Sequence, residues 1–581
     1  MGTLSRRVSG WNSSPTAGEG NFAFLSALRG VVGKRYVLTL PGSTLKYRKG
    51  FRFGQGPALA VVRPGSLLEQ WEVLRLCVNA EKIVIMQAAN TGLTGGSTPD
   101  SHGYDREIVI INTMRLAGIY LLGGGRQAVC LPGATLSQLE KLLRPLGRNP
   151  HSVIGSSCIG ASVFGGICNN SGGSLIHRGP AYTQMALYAQ VDEDANVSII
   201  NHLGISLGSE PVEILERLER GAFTEADVLP AVDRVCSDKS YGQHVRQIDA
   251  PTPARFNADP RRLFEASGSA GKLMLFAVRL DTFPKERQIT DFYIGTNEPS
   301  ALTEIRRHIL ASFKALPIQG EYLHRGAFAI AEKYGKDIFL AIRYLGTDRL
   351  PTIFAVQKWF EALRLRFKFL PSNLYDRLMQ HLSVLWPRHL PKRMYEYHRR
   401  FEHHLLLRMA DDGIEEARAY LNSIFPSSRG AYFECTPEEG RKAFLHRFAA
   451  AGAAIRYRAV HSRTVQDIVA LDVALPRNCA DWLERLPDNL ESKLLHKIYY
   501  GHFFCHVFHQ DYLVRKGCNS VEIEDEMRSM LDSRGAEYPA EHNVGHLYRA
   551  KSSLASHYRT LDPGNFFNSG IGNTSKLRGW K

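Results

Sequence analysis

Two glycine-rich loops and a late group of histidines hold most of the chemistry this sequence can offer. The first loop is IVIMQAANTGLTGGS (83–97), where a β-rich run leads into small residues. Ala88, Ala89, Asn90, Thr91 and Gly92 carry little bulk, so consecutive backbone N–H groups can converge on a phosphate or pyrophosphate. The second is VIGSSCIGASVFGGICNNSGGS (153–174). Its Gly155, Gly160, Gly165, Gly166, Gly172 and Gly173 alternate with Ala, Ser and Cys, so a planar ring system could lie against it without steric conflict. Either loop alone could be a tight turn between packed strands; two together argue for a ligand. Other phosphate motifs fail. No G-x-G-x-x-G opens a helix after a strand, and GSAGKL (268–273) has Leu273 where a Walker loop needs Ser or Thr.

The histidines lie in YYGHFFCHVFHQDY (499–512), which carries His502, His506 and His509, and further on at His542 and His546 beside Glu541. Imidazole with carboxylate suits zinc-like metals, and imidazole suits proton transfer. Alternating positions could equally place these histidines on one face of a strand, hydrogen-bonded in a core. A substrate carboxylate would want a bidentate cation. Arg447 and Arg456, in KAFLHRFAAAGAAIRY (442–457), are the candidates, with Arg456 the first choice.

Alternating elements must position these groups. ALAVVRP (58–64), KIVIM (82–86), REIVIINT (106–113) and AVCLPG (128–133) read as strands. SLLEQWEVLRLCVNA (66–80) reads as an amphipathic helix capped by Ser66, and TLSQLEKLLRPLG (135–147) as one opened by Thr135 and closed near Gly147. Past about residue 281 glycine thins and Arg, His and aromatics rise. From 363 to 409 ten Lys or Arg face only three acids.

The 581 residues imply two or three domains, and 44% hydrophobic with 22% charged residues is a folded, soluble composition. No apolar run approaches the ~20 residues of a membrane-spanning helix. The net charge of +15 could meet nucleic acid, anionic lipid or anionic substrates. Zinc-finger spacing, RNP motifs and basic heptads are all missing, so a nucleic-acid partner is not expected. The nine cysteines are scattered with no C-x-x-C pair, and the first residues have no apolar signal core. A reducing, cytoplasmic setting is expected.

The strand ending in Arg63-Pro64, the helix after it and the two glycine loops resemble the FAD-binding domain of the vanillyl-alcohol-oxidase, or PCMH-type, flavoproteins. Longer segments, TPARFNADPRRLFEASGSAGKL (252–273), CTPEEGRKAFLHRFAAAGAAIRY (435–457) and YPAEHNVGHLY (538–548), are similar to the bacterial quinone-dependent D-lactate dehydrogenases. That resemblance covers nearly the whole chain. It implies an α+β fold with a two-part FAD domain (1–280 plus 521–581), a discontinuous α+β cap (281–323 and 401–520) and a basic membrane-binding insertion (324–400). It implies oxidation of D-lactate by FAD with a membrane quinone as acceptor, at the cytoplasmic face of the inner membrane. The alternative is a PCMH-type enzyme for another 2-hydroxy acid or alcohol.

Carried over by position, Ala88, Ala89, Asn90, Thr91, Gly92, Gly96 and Ser97 would hold the FAD pyrophosphate. Gly155, Ser162 and Gly172 would line the flavin, and Leu275 would contact FAD through its backbone. Covalent members place a histidine in the first loop; none stands there, so non-covalent FAD is expected. Related D-2-hydroxy-acid dehydrogenases imply His502, His509 and Glu541 as ligands of a divalent metal and His542 as base. Their linker between the two histidines is glycine-rich, whereas 503–508 is bulky and apolar here. The basic, aromatic stretch, including Arg364, Arg366, Lys392 and Arg393, would meet an anionic membrane surface.

Overall fold

The computed structural model describes residues 17–151, 160–230, 233–346, 367 and 373–581. The N-terminal part builds two sheets. β1 (Val37–Leu38), β2 (Ala60–Val62), β3 (Ile83–Gln87) and β4 (Ile108–Asn112) lie in the order β1-β2-β4-β3, with β2, β4 and β3 parallel. The crossover from β2 to β3 is helix Leu67–Asn79, opened by the Ser66 hydroxyl, which accepts from the Glu69 N–H at 3.0 Å. β5 (Ile119–Leu122), β6 (Gln127–Cys130), β8 (Ala186–Val191), β9 (Val197–Asn201) and β10 (Met274–Asp281) form an antiparallel sheet in the order β5-β6-β10-β8-β9. β7 (Arg148–Asn149) and β11 (Phe283–Pro284) make a short ribbon. Val84 and Val109 of the first sheet, Leu187 and Met274 of the second and Leu74 of the helix share one apolar core. Helix Leu136–Leu143 carries the expected Thr135 cap as a full capping box with Gln138.

The chain then makes a seven-stranded antiparallel sheet. Its strands are β12 (Ile289–Thr296), β13 (Gln319–His324), β14 (His403–Ala410), β15 (Gly430–Glu434), β16 (Val465–Ala474), β17 (Leu494–His502) and β18 (Val507–Arg515). Their order is β15-β12-β14-β13-β17-β18-β16. Alternation sends successive side chains to opposite faces. Leu405 and Tyr512 pack under helices Pro299–Ser312, Gly413–Ile424 and Ser520–Ser533. Their neighbours Leu406 and Leu513 pack under Arg325–Tyr334, Lys392–Arg400 and Pro437–Val460. The α+β architecture with a separate cap is therefore present.

One expected boundary moves. Helix Ser520–Ser533, assigned from sequence to the FAD part, buries Ile523, Met527 and Leu531 in the cap core. The chain rejoins the first core only later, where Phe566 and Phe567 are buried beside β3. There the Val84 N–H donates to Phe566 and the Asn568 N–H to Val84, at 2.8 and 2.9 Å. Much of the basic insertion, including Arg364 and Arg366, lies outside the described residues. Among the described residues no helix is long and apolar enough to cross a membrane.

Candidate active site

β3 delivers the first glycine loop. Gln87, at the strand end, donates to the carbonyls of Tyr47 and Ser97, both at 2.7 Å, while Asn112 of β4 donates to the Ala88 carbonyl at 3.0 Å. Asn90, at φ +52°, donates to Lys49 and accepts from the Ser97 hydroxyl at 3.1 Å. The loop is thus held by side chains and carbonyls. Among the described residues, no backbone N–H from Ala88 to Ser97 finds an acceptor. Nothing lies within 4 Å of where a Cβ on Gly92 would stand. An open row of donors of this kind fits a pyrophosphate.

The other expected cofactor residues fall around it. Gly155 lies outside the described residues. The Ser162 hydroxyl caps the short helix Val163–Cys168 by accepting from Gly165 at 3.0 Å. Leu275 sits in β10 with its carbonyl committed to Gln70. Gly172 marks where the second loop meets Arg255 and the segment that carries Glu541: a Cβ there would stand 2.6 Å from Arg255 Nε and 2.7 Å from Glu541 Oε1. A Cβ on Gly96 would collide with the Asn543 amide at 2.5 Å. His546 closes the same side, its Nε2 2.8 Å from the Thr98 carbonyl. The segment carrying Glu541 and His542 is therefore clamped onto the first glycine loop.

The cap sheet presents a polar row to this segment. Register places Glu321 of β13 opposite His502 of β17, Tyr500 opposite His509 of β18, and Asp472 of β16 opposite His509. Directly opposed residues share a face, so four adjacent strands aim acids and imidazoles the same way. His502 Nδ1 lies 2.7 Å from Glu321 and its Nε2 3.3 Å from Glu541 Oε2. His509 Nδ1 lies 3.4 Å from Asp472, and its Nε2 3.9 Å from the same Glu541 oxygen. Arg255 holds the other Glu541 oxygen at 2.6 Å.

One donor atom from each of His502, His509 and Glu541 lies within 4.8 Å of the others. Both imidazoles turn Nε2 inward and back Nδ1 with a carboxylate, the arrangement that orients histidine on a metal. The donor set fits a zinc-like ion. Burial disfavours charge on His502, but Glu321 and Glu541 outweigh it and raise its pKa to about 9.

The apolar linker between these histidines does not disturb them. Phe503, Phe504 and Cys505 turn into the core on the opposite face. His506 takes a left-handed φ of +53° and sets Nδ1 3.1 Å from the Pro476 carbonyl. It is the one histidine of the three that serves the core.

His542 Nδ1 lies 2.6 Å from Asp472 Oδ2, and the same oxygen accepts the backbone N–H groups of Glu541 and His542. Burial works against the imidazolium, but Asp472 and then Glu541 hold the His542 pKa above its ordinary value. With Nδ1 committed, Nε2 is left to exchange a proton. Its side chain keeps 30% exposure, so that atom can be reached.

Arg456, the first choice for the substrate carboxylate, is a correction. It is 6% exposed and spends its guanidinium on Asp337 and Asp376, at 2.6 and 2.8 Å, tying three cap helices together. Arg447, the second choice, does reach the row, pairing with Glu321 at 2.8 Å and lying 4.6 Å over the Tyr500 ring. Sequence reading missed Asp472, Glu321, Tyr500, Asp511 and Arg255. Only strand register brings the first four beside the histidines, and no local spacing signals it.

Two family models match the chain: "FAD binding domain" over 58–196 and "D-lactate dehydrogenase, membrane binding" over 291–580. The quinone-dependent D-lactate dehydrogenase of Escherichia coli (strain K12) is 57% identical over 97% of this chain and 98% of its own. That of Corynebacterium glutamicum is 47% identical over 96% and 97%.

The chain belongs to this family of FAD-dependent enzymes.

Solved structures agree on the fold. p-Cresol methylhydroxylase with substrate bound superposes with a TM-score of 0.59 at 11% identity, covering 96% of this chain and 98% of its own. The 4-ethylphenol oxidase of Gulosibacter chungangensis gives 0.55 at 12% identity, over 96% and 97%. The expected PCMH-type FAD fold stands.

Proposed function

We propose that this protein oxidises D-lactate to pyruvate and passes the electrons to a membrane quinone. The observation that carries the reading is His542, held by Asp472 and clamped through its own segment to the FAD loop. FAD, when bound, supplies the two-electron acceptor for the hydride leaving C2 of the substrate. His542 Nε2 takes the hydroxyl proton, and Asp472 steadies the resulting imidazolium. His502, His509 and Glu541 would hold a divalent metal, which would polarise the substrate oxygens.

Ala88 to Gly92, Gly96 and Ser97 hold the pyrophosphate in this reading. Ser162 and Gly172 line the flavin, with Leu275 nearby, and the flavin is non-covalent. The decisive test is anaerobic addition of each lactate isomer to the flavoprotein. D-Lactate alone should bleach the flavin; bleaching by neither isomer overturns the substrate. Removal of metal by a chelator should slow that bleaching at least tenfold, reversed by zinc; an unchanged rate removes the metal.

A quinone acceptor requires contact with a bilayer. Helix Lys336–Leu345 leaves Tyr344 72% and Leu345 59% exposed. Leu378, Leu382 and Leu385 are also exposed, with Leu385 at 81%. Lys392 extends into solvent nearby in the sequence. Apolar side chains flanked by cations suit peripheral attachment to an anionic surface, each cation contributing about 1 kcal/mol. Attachment is at the cytoplasmic face in this reading. Lys392→Glu should weaken sedimentation with anionic vesicles and leave neutral vesicles unaffected.

A further inference from the structure

Buried arginines elsewhere in this chain hold the fold together through hydrogen bonds. Arg255, Arg262, Arg306, Arg456 and Arg477 each donate at least twice, to carbonyl, hydroxyl or carboxylate oxygens. Arg447 differs. It is 8% exposed, yet its Nε and Nη2 have no hydrogen-bond partner. Glu321 Oε2 lies 2.8 Å from Nη2, so the charges are paired, but the contact is not a hydrogen bond. A buried donor without an acceptor is costly, and more so on a charged group. The two donors ask for an acceptor that the described residues do not supply.

Contacts place this guanidinium at the proposed site. Arg447 belongs to helix Pro437–Val460, which packs on the sheet face that carries Tyr500. Its Cζ lies 4.6 Å over the Tyr500 ring, and Tyr500 in turn lies 5.4 Å from His509, ring to ring. The Glu321 that it pairs with sets its other oxygen 2.7 Å from His502 Nδ1. The guanidinium thus stands beside the groups that back both histidines of the triad. From there the row runs across His509 to Asp472, which holds His542. Tyr500 and Asp472 are two strand spacings apart, about 10 Å, with His509 between them. A cation therefore stands at one end of the row and the proton acceptor at the other. Arg255, the other arginine at the row, commits Nη1 and Nη2 to Leu175, Gly173 and Glu541 and keeps no such edge.

We propose that Arg447 binds the carboxylate of the 2-hydroxy-acid substrate through its Nε–Nη2 edge. This deepens the reading above and rests on it. Nε and Nη2 donate side by side, the geometry that takes both oxygens of a carboxylate and fixes orientation as well as charge. Glu321 is shared with His502, so it does not by itself consume the guanidinium. Held at that end, the substrate turns its C2 hydroxyl toward His542.

The test is anaerobic stopped-flow reduction of the flavin over a range of D-lactate concentrations, in wild type, Arg447→Gln, Arg447→Lys, Glu321→Gln and the double variant Arg447→Gln with Glu321→Gln. Loss of a charge-assisted pair should raise the half-saturating D-lactate concentration about 10- to 100-fold in Arg447→Gln. The limiting rate should change less. Arg447→Lys should fall between, because it keeps the charge and loses the fork. Oxalate, a carboxylate probe read by its perturbation of the flavin spectrum, should weaken in parallel. The Glu321 variants separate binding from charge balance. If Arg447 binds the substrate, the double variant stays well above the half-saturation of Glu321→Gln alone. If the two match, Arg447 merely neutralises Glu321 and the proposal is overturned. Unchanged half-saturation in Arg447→Gln, with wild type bleached normally, also overturns it. Wild type that D-lactate does not bleach overturns the parent reading instead. If Arg447→Gln fails to fold or to retain FAD, Arg447→Lys decides: wild-type half-saturation and wild-type oxalate binding in it refute the assignment.

Discussion

Two sets of histidines lie about the cap sheet, one on each side of a chemical divide. Along the polar row, His502, His509 and His542 each face a carboxylate: Glu321, Asp472 or Glu541. Under the helices, His389, His404 and His446 gather around aromatic rings. Phe328 lies 4.4 Å from His446 and 5.6 Å from His404, and Phe339 lies 4.5 Å from His389. None of the six ring nitrogens in this second set has a hydrogen-bond partner. His542 keeps 30% side-chain exposure while His404 and His446 keep none, and the consequences diverge. Acids raise the pKa of His502 and His542, but burial takes His509 down to about 4 despite Asp472 and Glu541; burial likewise leads the drop of His389 to about 4 and of His404 and His446 well below the ordinary value. An imidazole becomes a chemical group when a carboxylate fixes one nitrogen and leaves the other reachable. Without that partner it is a flat, neutral core ring.

The strongest way to break this contrast is at Asp472. Its Oδ2 alone accepts from two backbone N–H groups and the His542 ring. His542→Ala should slow flavin reduction by D-lactate about 10²- to 10⁴-fold, the usual contribution of a general base. Asp472→Asn should give a large part of that loss while FAD remains bound. Unchanged reduction in His542→Ala would move the proton transfer elsewhere.

Next in size is Arg456, the residue whose sequence setting misleads. It bridges Asp337 and Asp376 within the helical layer, and all three side chains are shielded from solvent. Arg456→Ala removes a close cation from two shielded carboxylates and should cost about 3 kcal/mol. The expected readout is a lower melting temperature with an unchanged half-saturating D-lactate concentration. A raised half-saturation at full stability would restore its candidacy.

How much of this was legible follows from the range of each signal. The first glycine loop, the Ser66 and Thr135 caps and the strands around them are written in neighbouring residues, and the structure keeps each of them, with some ends shorter than expected. The His502, His509, Glu541 grouping was legible only through the spacing carried over by resemblance. Asp472 and Glu321 were invisible because nothing near them in the sequence marks them; antiparallel register alone sets them against His509 and His502. Arg456 failed for the converse reason. Its flanking small residues suggested a site, but they are the close-packed face of helix Pro437–Val460, and its acids come from two other helices. Helix Ser520–Ser533 was misplaced because an amphipathic pattern states that a face is buried, not against which sheet.

The smallest expected effect tests the neutral set directly. The unfolded chain protonates histidine near pH 6.5, whereas native His389 resists until about pH 4. Between those values the unfolded state binds the extra proton, so the native state loses stability as pH falls from about 6.5 to 4. At pH 5 this single ring accounts for about 2 kcal/mol. His389→Leu removes the titration while keeping an apolar side chain beside Phe339. The drop in melting temperature from pH 7 to pH 5 should therefore be smaller in the variant than in wild type, at equal D-lactate activity. An identical drop in both would mean that His389 finds a proton acceptor after all, and the line drawn between the two sets of histidines would have to be redrawn through it.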